Sequence, residues 1–594
     1  MFISRVHKSS ASKAGGHKRR LKSAGNPDWS RLRREGRRFG VAHFRPGQQE
    51  IVEAVLAGRD VLGIMPTGSG KSLTYQLPSI VLPSPTVVVS PLIALMKDQT
   101  EKAEEAEMAA AKLDSTLTRS EERETIETIE QGGHELIYST PERLENHEQR
   151  EQIAAAGVSL FVVDEAHCIS QWGHDFRPAY LTLRDAAQAF GRPPILALTA
   201  TATPEVSEDI IRQLGLVKPV IVNTGIEREN LIFEVFRTVN GDAKRARLRK
   251  IMQENEGSGI IYTATVRTAN ELYTWFKDEG LNVGRYHAKL TKKDRERCHE
   301  QFMNGEFKVM VATRAFGLGI DKADIRFVVH YNFPDSLETY YQEAGRAGRD
   351  GKPARCVLMY RLEDRRIQGF FLGGKYPRRE HSLKIYNALT AFAGQAERAT
   401  TKVADLTTAT ELPERRVKVV VAQLESAGIL ERRRGAIRKL RVFQSSQELD
   451  AFLTEYEQRH SSDRERLQLV MRYAESTSCR LVFLRSYFAE DAGHDCGRCD
   501  NCRAKAEGRF QAKPEPTAPA DISAINGVSS PKPEFLREIK QEAEKEIVFS
   551  IGDRVKHKRF GAGTVLELSG RNLVIDFGAK GTKRLRSDFV RQAA

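Results

Sequence analysis

Residues 66–72 read Pro-Thr-Gly-Ser-Gly-Lys-Ser, a loop of small residues closed by a cation and a hydroxyl. The backbone N–H groups of such a loop, together with the start of a following helix, cradle phosphate oxygens. Lys71 is placed to reach the β and γ phosphates and Ser72 to bind Mg²⁺, with Thr67, Gly68, Ser69 and Gly70 forming the cradle. The strict pattern has glycine where Met65 stands, so a glycine turn with a surface lysine is the plain alternative. Farther on, an apolar run at residues 160–163 ends in Asp164-Glu165-Ala166-His167. Adjacent carboxylates at the end of a buried strand are costly unless a cation joins them. Asp164 can hold Mg²⁺, directly or through water, and Glu165 can orient and deprotonate an attacking water. In residues 341–351, Gln342 is followed by Arg346 and Arg349, two arginines on one side of a helical turn. An arginine brought to a γ-phosphate contributes about 10³- to 10⁵-fold in rate, and one carried by another lobe couples hydrolysis to closure.

The loop after His167 holds Trp172, Phe176, Arg177 and Tyr180 within nine residues. Flat rings beside cations stack on unpaired bases whatever their order, although Trp and Phe are more often core residues. Trp172, Phe176 and Arg177 are the candidates for this task, next to the carboxylates they would inform. Ser90, Pro91, Thr140, Arg143 and Thr313 are candidate contacts to a nucleic-acid backbone. Cys479, Cys496, Cys499 and Cys502 are separated by 16, 2 and 2 residues, a spacing that brings thiolates around one tetrahedral Zn²⁺. Seven cysteines in 594 residues are too few for a disulfide framework, and Cys168, Cys298 and Cys356 read as buried thiols.

Groups with such tasks need rigid supports. Residues 61–65, 86–89, 136–138, 160–163 and 195–198 are short apolar runs between helical stretches, and the pattern restarts at 259–262, 283–286, 309–312, 327–331 and 355–360. That alternation predicts an α/β fold of two doubly wound parallel-sheet lobes, residues 39–214 and 215–374. Helices and a basic hairpin predict a winged-helix-like module over 375–445. A helical zinc-binding module follows at 446–503, an Ala-, Pro-, Lys- and Glu-rich linker at 504–546, and a small Tudor/SH3-like β-barrel at 547–594. Residues 1–38 read as a basic flexible tail.

The net charge of +14 is unevenly spread: residues 1–40 carry +10, 375–445 carry +8 and 551–594 carry +6, which leaves the remainder acidic. The basic excess is peripheral and fits a polyanionic partner. No 18-residue apolar run offers a membrane span and residues 1–20 lack a secretory h-region, so a cytoplasmic, nucleoid-associated, bacterial-type location is expected.

Together these motifs resemble the RecQ family of superfamily 2 DNA helicases, almost continuously from residue 39 to residue 376 and again at the cysteines. The resemblance implies lobes of RecA type and a nucleotide site that also uses Phe39, Arg45 and Gln48, with Gln48 on the adenine edge. It adds Gly319 and Asp321 of the stretch 312–322, accounts for Met65 as the family's own phosphate-loop residue, and gives Trp172, Phe176 and Arg177 the coupling of DNA binding to hydrolysis. It implies ATP, Mg²⁺ and Zn²⁺ as cofactors, and 3′ to 5′ movement with unwinding of single-stranded and branched DNA in repair or recombination. Two features depart from that pattern: the winged-helix-like segment precedes the cysteines, which puts in doubt a strand-separating role for residues 432–439, and residues 553–590 resemble the small barrel that ends UvrD-type helicases. The barrel implies a protein partner such as RNA polymerase, or extra nucleic-acid contact. A DNA translocase or branch remodeller that does not open simple duplexes, and a transcription-coupled binding protein with an ATP switch, stand as alternatives.

Overall fold

Strands such as Val61–Ile64 and Leu160–Val163 are apolar at every position, so both of their faces must be covered, and the chain achieves this by alternating strands with helices. The computed structural model describes residues 29–509, except 42, 171, 174, 318–319, 321, 376–378, 394–399 and 434–435, and residues 553–592, except 558–560, 570–571, 579–580 and 587–589. The chain divides into two compact units between residues 511 and 512.

The first lobe is built on β1 (Val61–Ile64), β2 (Thr86–Val89), β3 (Ala110–Leu113), β4 (Leu136–Ser139), β5 (Leu160–Val163), β6 (Ile195–Thr199) and β7 (Val220–Asn223). They form one parallel sheet in the order β3-β4-β2-β5-β6-β1-β7. Two apolar layers cover it, one around Val87, Phe161 and Ile195 and the other around Val61, Val88 and Leu196. The second lobe holds β8 (Leu231–Arg237), β9 (Ser258–Tyr262), β10 (Val283–Tyr286), β11 (Val309–Ala312), β12 (Ile325–His330) and β13 (Ala354–Tyr360), parallel in the order β10-β11-β9-β12-β13-β8. Both lobes therefore have the expected α/β doubly wound form.

The boundary expected at residue 214 is corrected. Helix Pro204–Leu214 stops at Gly215, whose φ is +65°, but β7 still pairs with β1 in the first sheet. Ile221 and Asn223 of that edge strand are exposed; the run Val220-Ile221-Val222 is apolar in the sequence, but it does not say which of the two sheets it joins. The expected flexible tail is corrected as well: Trp29–Gly36 is a helix, with Leu32 2% exposed against Val52, Leu73 and Leu77. Arginines at Arg31, Arg33 and Arg34 masked its single buried leucine. Residues 1–28 lie outside the described residues.

The winged-helix-like module packs helices Arg379–Ala393, Val403–Thr410 and Glu414–Ser426 on a three-stranded sheet of β14 (Thr400–Thr401), β15 (Leu430–Arg433) and β16 (Ala436–Lys439). The tip of its hairpin, residues 434–435, is outside the described residues. Helix Ser446–Glu475 starts at the boundary expected at 445/446, but Phe452 and Leu453 in its first turns join the winged-helix core, so that core extends past the boundary. Helices Arg480–Tyr487 and Asp500–Ala506 complete the cysteine module, so residues 504–506 belong to a helix rather than to the linker. Most of the linker, from residue 510, is outside the described residues. The C-terminal unit is an antiparallel sheet of β17 (Arg554–His557), β18 (Gly561–Ser569), β19 (Asn572–Asp576), β20 (Thr582–Arg586) and β21 (Val590–Gln592), closed over Val555, Val565, Leu573, Ile575 and Phe577.

Candidate functional site

In a parallel sheet all strand C-termini face the same rim, and the strand order decides what meets there. The order β4-β2-β5-β6-β1 puts Thr140 and Ser90 at one end, the carboxylates after β5 in the middle and the phosphate loop after β1 at the other. Candidate strand contacts and candidate nucleotide contacts thus share one rim, with Asp164 and Glu165 between them.

Gly68 and Gly70 have φ of +84° and +82°, a backbone open only to glycine without strain. A Cβ on Gly70 would come within 2.5 Å of the Gln48 amide nitrogen. Gln48 is 2% exposed and donates to the Ser69 and Gly70 carbonyls at 3.1 and 3.0 Å, while its oxygen accepts the Arg45 N–H at 2.8 Å. Arg45 also donates to the Gly68 carbonyl. In this state Gln48 clasps the phosphate loop from beneath. Met65 is fully buried in the apolar layer below the loop, and its carbonyl accepts from Lys71 Nζ at 3.1 Å. A side chain that points into the core explains how methionine replaces the glycine of the strict pattern.

Burial pushes the Lys71 ammonium below its ordinary pKa, and the carboxylates of Glu165 and Asp164 oppose that. Burial pushes Asp164 up, as does the Glu165 charge beside it, with Lys71 acting the other way. Two carboxylates in a desolvated cleft are a donor set suited to a divalent cation, and the Lys71 ammonium beside them is a charge suited to phosphate. Glu165 has φ of +48°, a strained backbone for a residue with a Cβ. Its Oε2 accepts no hydrogen bond, although His167 Nδ1 lies 3.3 Å away. His167 Nδ1 is 3.1 Å from Thr199 Oγ1, and Thr199 donates its only proton to the Thr201 carbonyl at 2.9 Å. His167 must therefore donate from Nδ1, which ties the carboxylate loop to the end of β6.

A cavity of about 620 Å³ lies between the lobes. Phe39, Arg45, Gln48, Thr67, Gly68, Gly70, Lys71, Ser72, Asp164 and Glu165 line it from the first lobe, and Gln342, Arg346 and Arg349 from the second. Ser69 is in the loop, with its hydroxyl buried and unpartnered. Helix Leu337–Ala344, capped by the Ser336 hydroxyl on the Thr339 N–H at 3.1 Å, carries Gln342. A Cβ on Gly68 would sit 3.2 Å from Arg349 Cγ, so that arginine lies over the loop. Arg346 is 4% exposed and its Nε has no partner. Gly319 and Asp321 are outside the described residues.

Among the expected nucleic-acid contacts, Trp172 is 41% exposed and Phe176 partly buried, while Arg177 donates to the Pro91 carbonyl at 3.1 Å. Ser90 and Thr140 are buried at the rim, and Thr313 is 8% exposed at the end of β11. Arg143 is partly exposed near Thr140, with its guanidinium engaged by Glu122 and by the Asp114 carbonyl at the end of β3.

The structure also recruits residues that sequence reasoning missed. Arg466 of helix Ser446–Glu475 donates to the Trp172 carbonyl and lies 3.9 Å from Glu338. Asp175, in the aromatic loop, pairs with Arg314 of the second lobe at 3.6 Å. Arg228 reaches the phosphate loop from the connection between the lobes. No local pattern marks a lone arginine whose partners lie more than a hundred residues away.

The sulfurs of Cys479, Cys496, Cys499 and Cys502 all lie within 4.8 Å of one another. Hydrogen bonds with Cys496 and Cys499 pull the Cys479 thiol down, and those with Cys479 and Cys496 push the Cys499 thiol up. Four clustered thiols resist ionising together, a conflict that a tetrahedral Zn²⁺ removes. The donor set fits zinc. Asp500, between two of the cysteines, accepts from Arg480 twice at 2.9 Å and from the Val235 N–H at 3.1 Å, which fixes the module to β8.

Comparison with known proteins agrees with this geometry. Residues 45–210 match the DEAD/DEAH box helicase family, 243–351 the helicase conserved C-terminal domain, 435–503 the RecQ zinc-binding domain and 551–590 the PcrA/UvrD tudor domain. The ATP-dependent DNA helicase RecQ of Bacillus subtilis is 46% identical over 337 residues, 56% of this chain and 56% of that protein. The probable ATP-dependent DNA helicase RecS of the same organism is 40% identical over 56% of this chain and 66% of its own length. The ATP-dependent DNA helicase RecQ of Pasteurella multocida is 40% identical over 55% of this chain and 51% of its own. The chain therefore spans between about half and two thirds of the length of these relatives. Among the described residues, no helix is long and apolar enough to cross a membrane.

Proposed function

Because this chain is a relative of the RecQ helicases in both lobes and in its cysteine module, we propose that it is an ATP-dependent DNA helicase that moves 3′ to 5′ on single strands and separates duplexes. The observation that carries this reading is the shared cleft, in which Lys71, Asp164 and Glu165 of one lobe face Gln342, Arg346 and Arg349 of the other. Lys71 and the loop amides bind the phosphates, and Gln48 reports the base to the loop it clasps. Ser72 and Asp164 hold Mg²⁺, which supplies charge neutralisation on the phosphates. Glu165 aims the water and takes its proton, while Arg346 and Arg349 stabilise the charge that grows on the γ-phosphate. Each closure of the lobes brings those arginines in, and each release lets the lobes part, so hydrolysis becomes a step along the strand.

On the DNA side, Trp172 and Phe176 stack on bases, and Ser90, Pro91, Thr140, Arg177 and Thr313 serve the backbone. The four cysteines hold Zn²⁺ as a structural ion. We assign recruitment of single-stranded and branched DNA in repair or recombination to the basic winged-helix module and residues 1–28, near the nucleoid. Docking of a protein such as RNA polymerase falls to the C-terminal barrel.

An unwinding assay on duplexes with 3′ or 5′ tails, with and without residues 547–594, tests the reading. Opening of 3′-tailed duplexes alone is expected, and hydrolysis that DNA does not stimulate would overturn the mechanism. The position of the winged-helix module before the cysteines favours one second reading, a branch remodeller without a strand-separating pin. Activity on forked or four-way junctions with none on simple tailed duplexes selects it.

A further inference from the structure

The connection between the lobes, residues 224–230, separates β7 from β8 and carries no motif in the sequence. We propose that Arg228 within it is a positioning residue that seats the arginine-bearing turn of the second lobe on the phosphate loop of the first. The inference rests on the reading of the cleft as an ATPase site.

The guanidinium of Arg228 donates through Nη1 to the Thr67 carbonyl at 3.4 Å and the Gly345 carbonyl at 2.7 Å, and through Nη2 to the Gly348 carbonyl. Thr67 belongs to the phosphate loop, and Gly345 and Gly348 flank Arg346 and Arg349. One planar fork thus holds carbonyls from both lobes at once. The backbones it joins are already in contact, because a Cβ on Gly345 would lie 3.2 Å from Thr67 Cβ. Asn230 completes the bracket, donating to the Gly348 carbonyl at 2.7 Å and the Lys352 carbonyl at 2.9 Å. An ammonium on a flexible stem is a point charge and lacks the planar fork that fits three fixed acceptors.

Arg228 is itself held from the far side. Arg498, which stands between two of the cysteines, pairs with Glu227 at 3.1 Å and donates to the Leu231 carbonyl at 3.3 Å. Glu490 accepts the Ile226 N–H at 3.2 Å. The cysteine module therefore supports the segment that carries Arg228, and Arg228 meets the ATP cleft without touching the groups that react. Its loss leaves the phosphate cradle in place but lets the turn bearing Arg346 and Arg349 drift, and a misplacement of about 1 Å costs roughly 10²-fold in rate.

The test uses the full chain with Arg228→Ala and Arg228→Lys, assayed for DNA-stimulated ATP hydrolysis beside the parent. Arg228→Ala should lower kcat about tenfold to a hundredfold with KM for ATP within about threefold, and Arg228→Lys should recover only part of the loss. ADP with aluminium fluoride, a mimic of the transition state, should bind Arg228→Ala more weakly, while ADP alone binds as before. Independently of activity, hydrogen exchange at residues 66–70 and 345–349 should speed up in Arg228→Ala without nucleotide. Parent-like kcat, or parent-like exchange in both segments, overturns the inference, as does full recovery by lysine. An inactive parent would instead overturn the ATPase reading, while the exchange measurement still judges Arg228.

Discussion

The zinc cluster and the ATP cleft bind charged species by opposite constructions. The four cysteines span 24 residues, and their sulfurs sit within 4.8 Å of one another at the starts of two short helices and in the stretch between them. The cleft draws on residues from Phe39 to Arg349, split between two sheets that need not stay at one distance. A site made locally is closed and fixed, which suits an ion that never leaves. A site made across a cleft can be completed and undone, which suits a ligand consumed in each cycle.

The sharpest way to break this contrast is to remove groups from the cleft. Lys71→Ala and Glu165→Gln should each reduce ATP hydrolysis by about 10³-fold or more in a steady-state assay while leaving the zinc content at one ion per chain. Arg346→Ala and Arg349→Ala should lower kcat by about 10³-fold with nucleotide binding largely kept, since that charge is needed only as the phosphate transfers. At the other site, Cys499→Ser should lose the ion, seen by metal analysis, and lower the melting temperature, because the binding energy of a structural zinc is folding energy. If Cys499→Ser kept its ion and its melting temperature, the picture of a closed structural site would be wrong.

Smaller effects probe what joins the two regions. Trp172→Ala should raise the single-stranded DNA concentration for half-maximal stimulation by about tenfold, the worth of one stacked base. Arg466→Ala, which frees the Trp172 carbonyl and the neighbourhood of Glu338, should change that coupling by only a few fold, with basal hydrolysis unchanged. Deleting residues 1–28 together with 547–594 should flatten the salt dependence of DNA binding, because basic segments release counterions. The deletion stops at residue 28 because Leu32 is packed in the first lobe. An unchanged salt slope would leave DNA recruitment to the winged-helix module and the motor.

Much of this site was legible in the sequence, and the reason is geometric. The phosphate loop, the Asp164-Glu165 pair and the cysteine cluster each do their work within a few residues, so residue type and spacing nearly define the geometry. Gln48 was named for the base edge, but its clasp on the Ser69 and Gly70 carbonyls needed the fold, since helix Gln48–Leu56 approaches the loop only through packing. Arg143 stands close to Thr140 in sequence, but its ion pair with Glu122, 21 residues away, needed the fold. Helix Trp29–Gly36 escaped because Leu32 is its only large buried side chain, and strand β7 because the apolar run Val220-Ile221-Val222 does not reveal that it pairs with β1.

The sequence alone determined the chemistry this chain can attempt: a phosphate cradle, a carboxylate pair, two arginines and a zinc ligand set, with apolar strands to support them. Only the tertiary structure decided which of these meet. Sheet order set the carboxylates between the two ends of the rim, lobe packing laid Arg349 over Gly68, and Arg228 and Arg466 acquired partners from distant segments. The physical reason is that backbone spacing constrains groups a few residues apart, whereas groups hundreds of residues apart are brought together only by the burial of the surfaces between them.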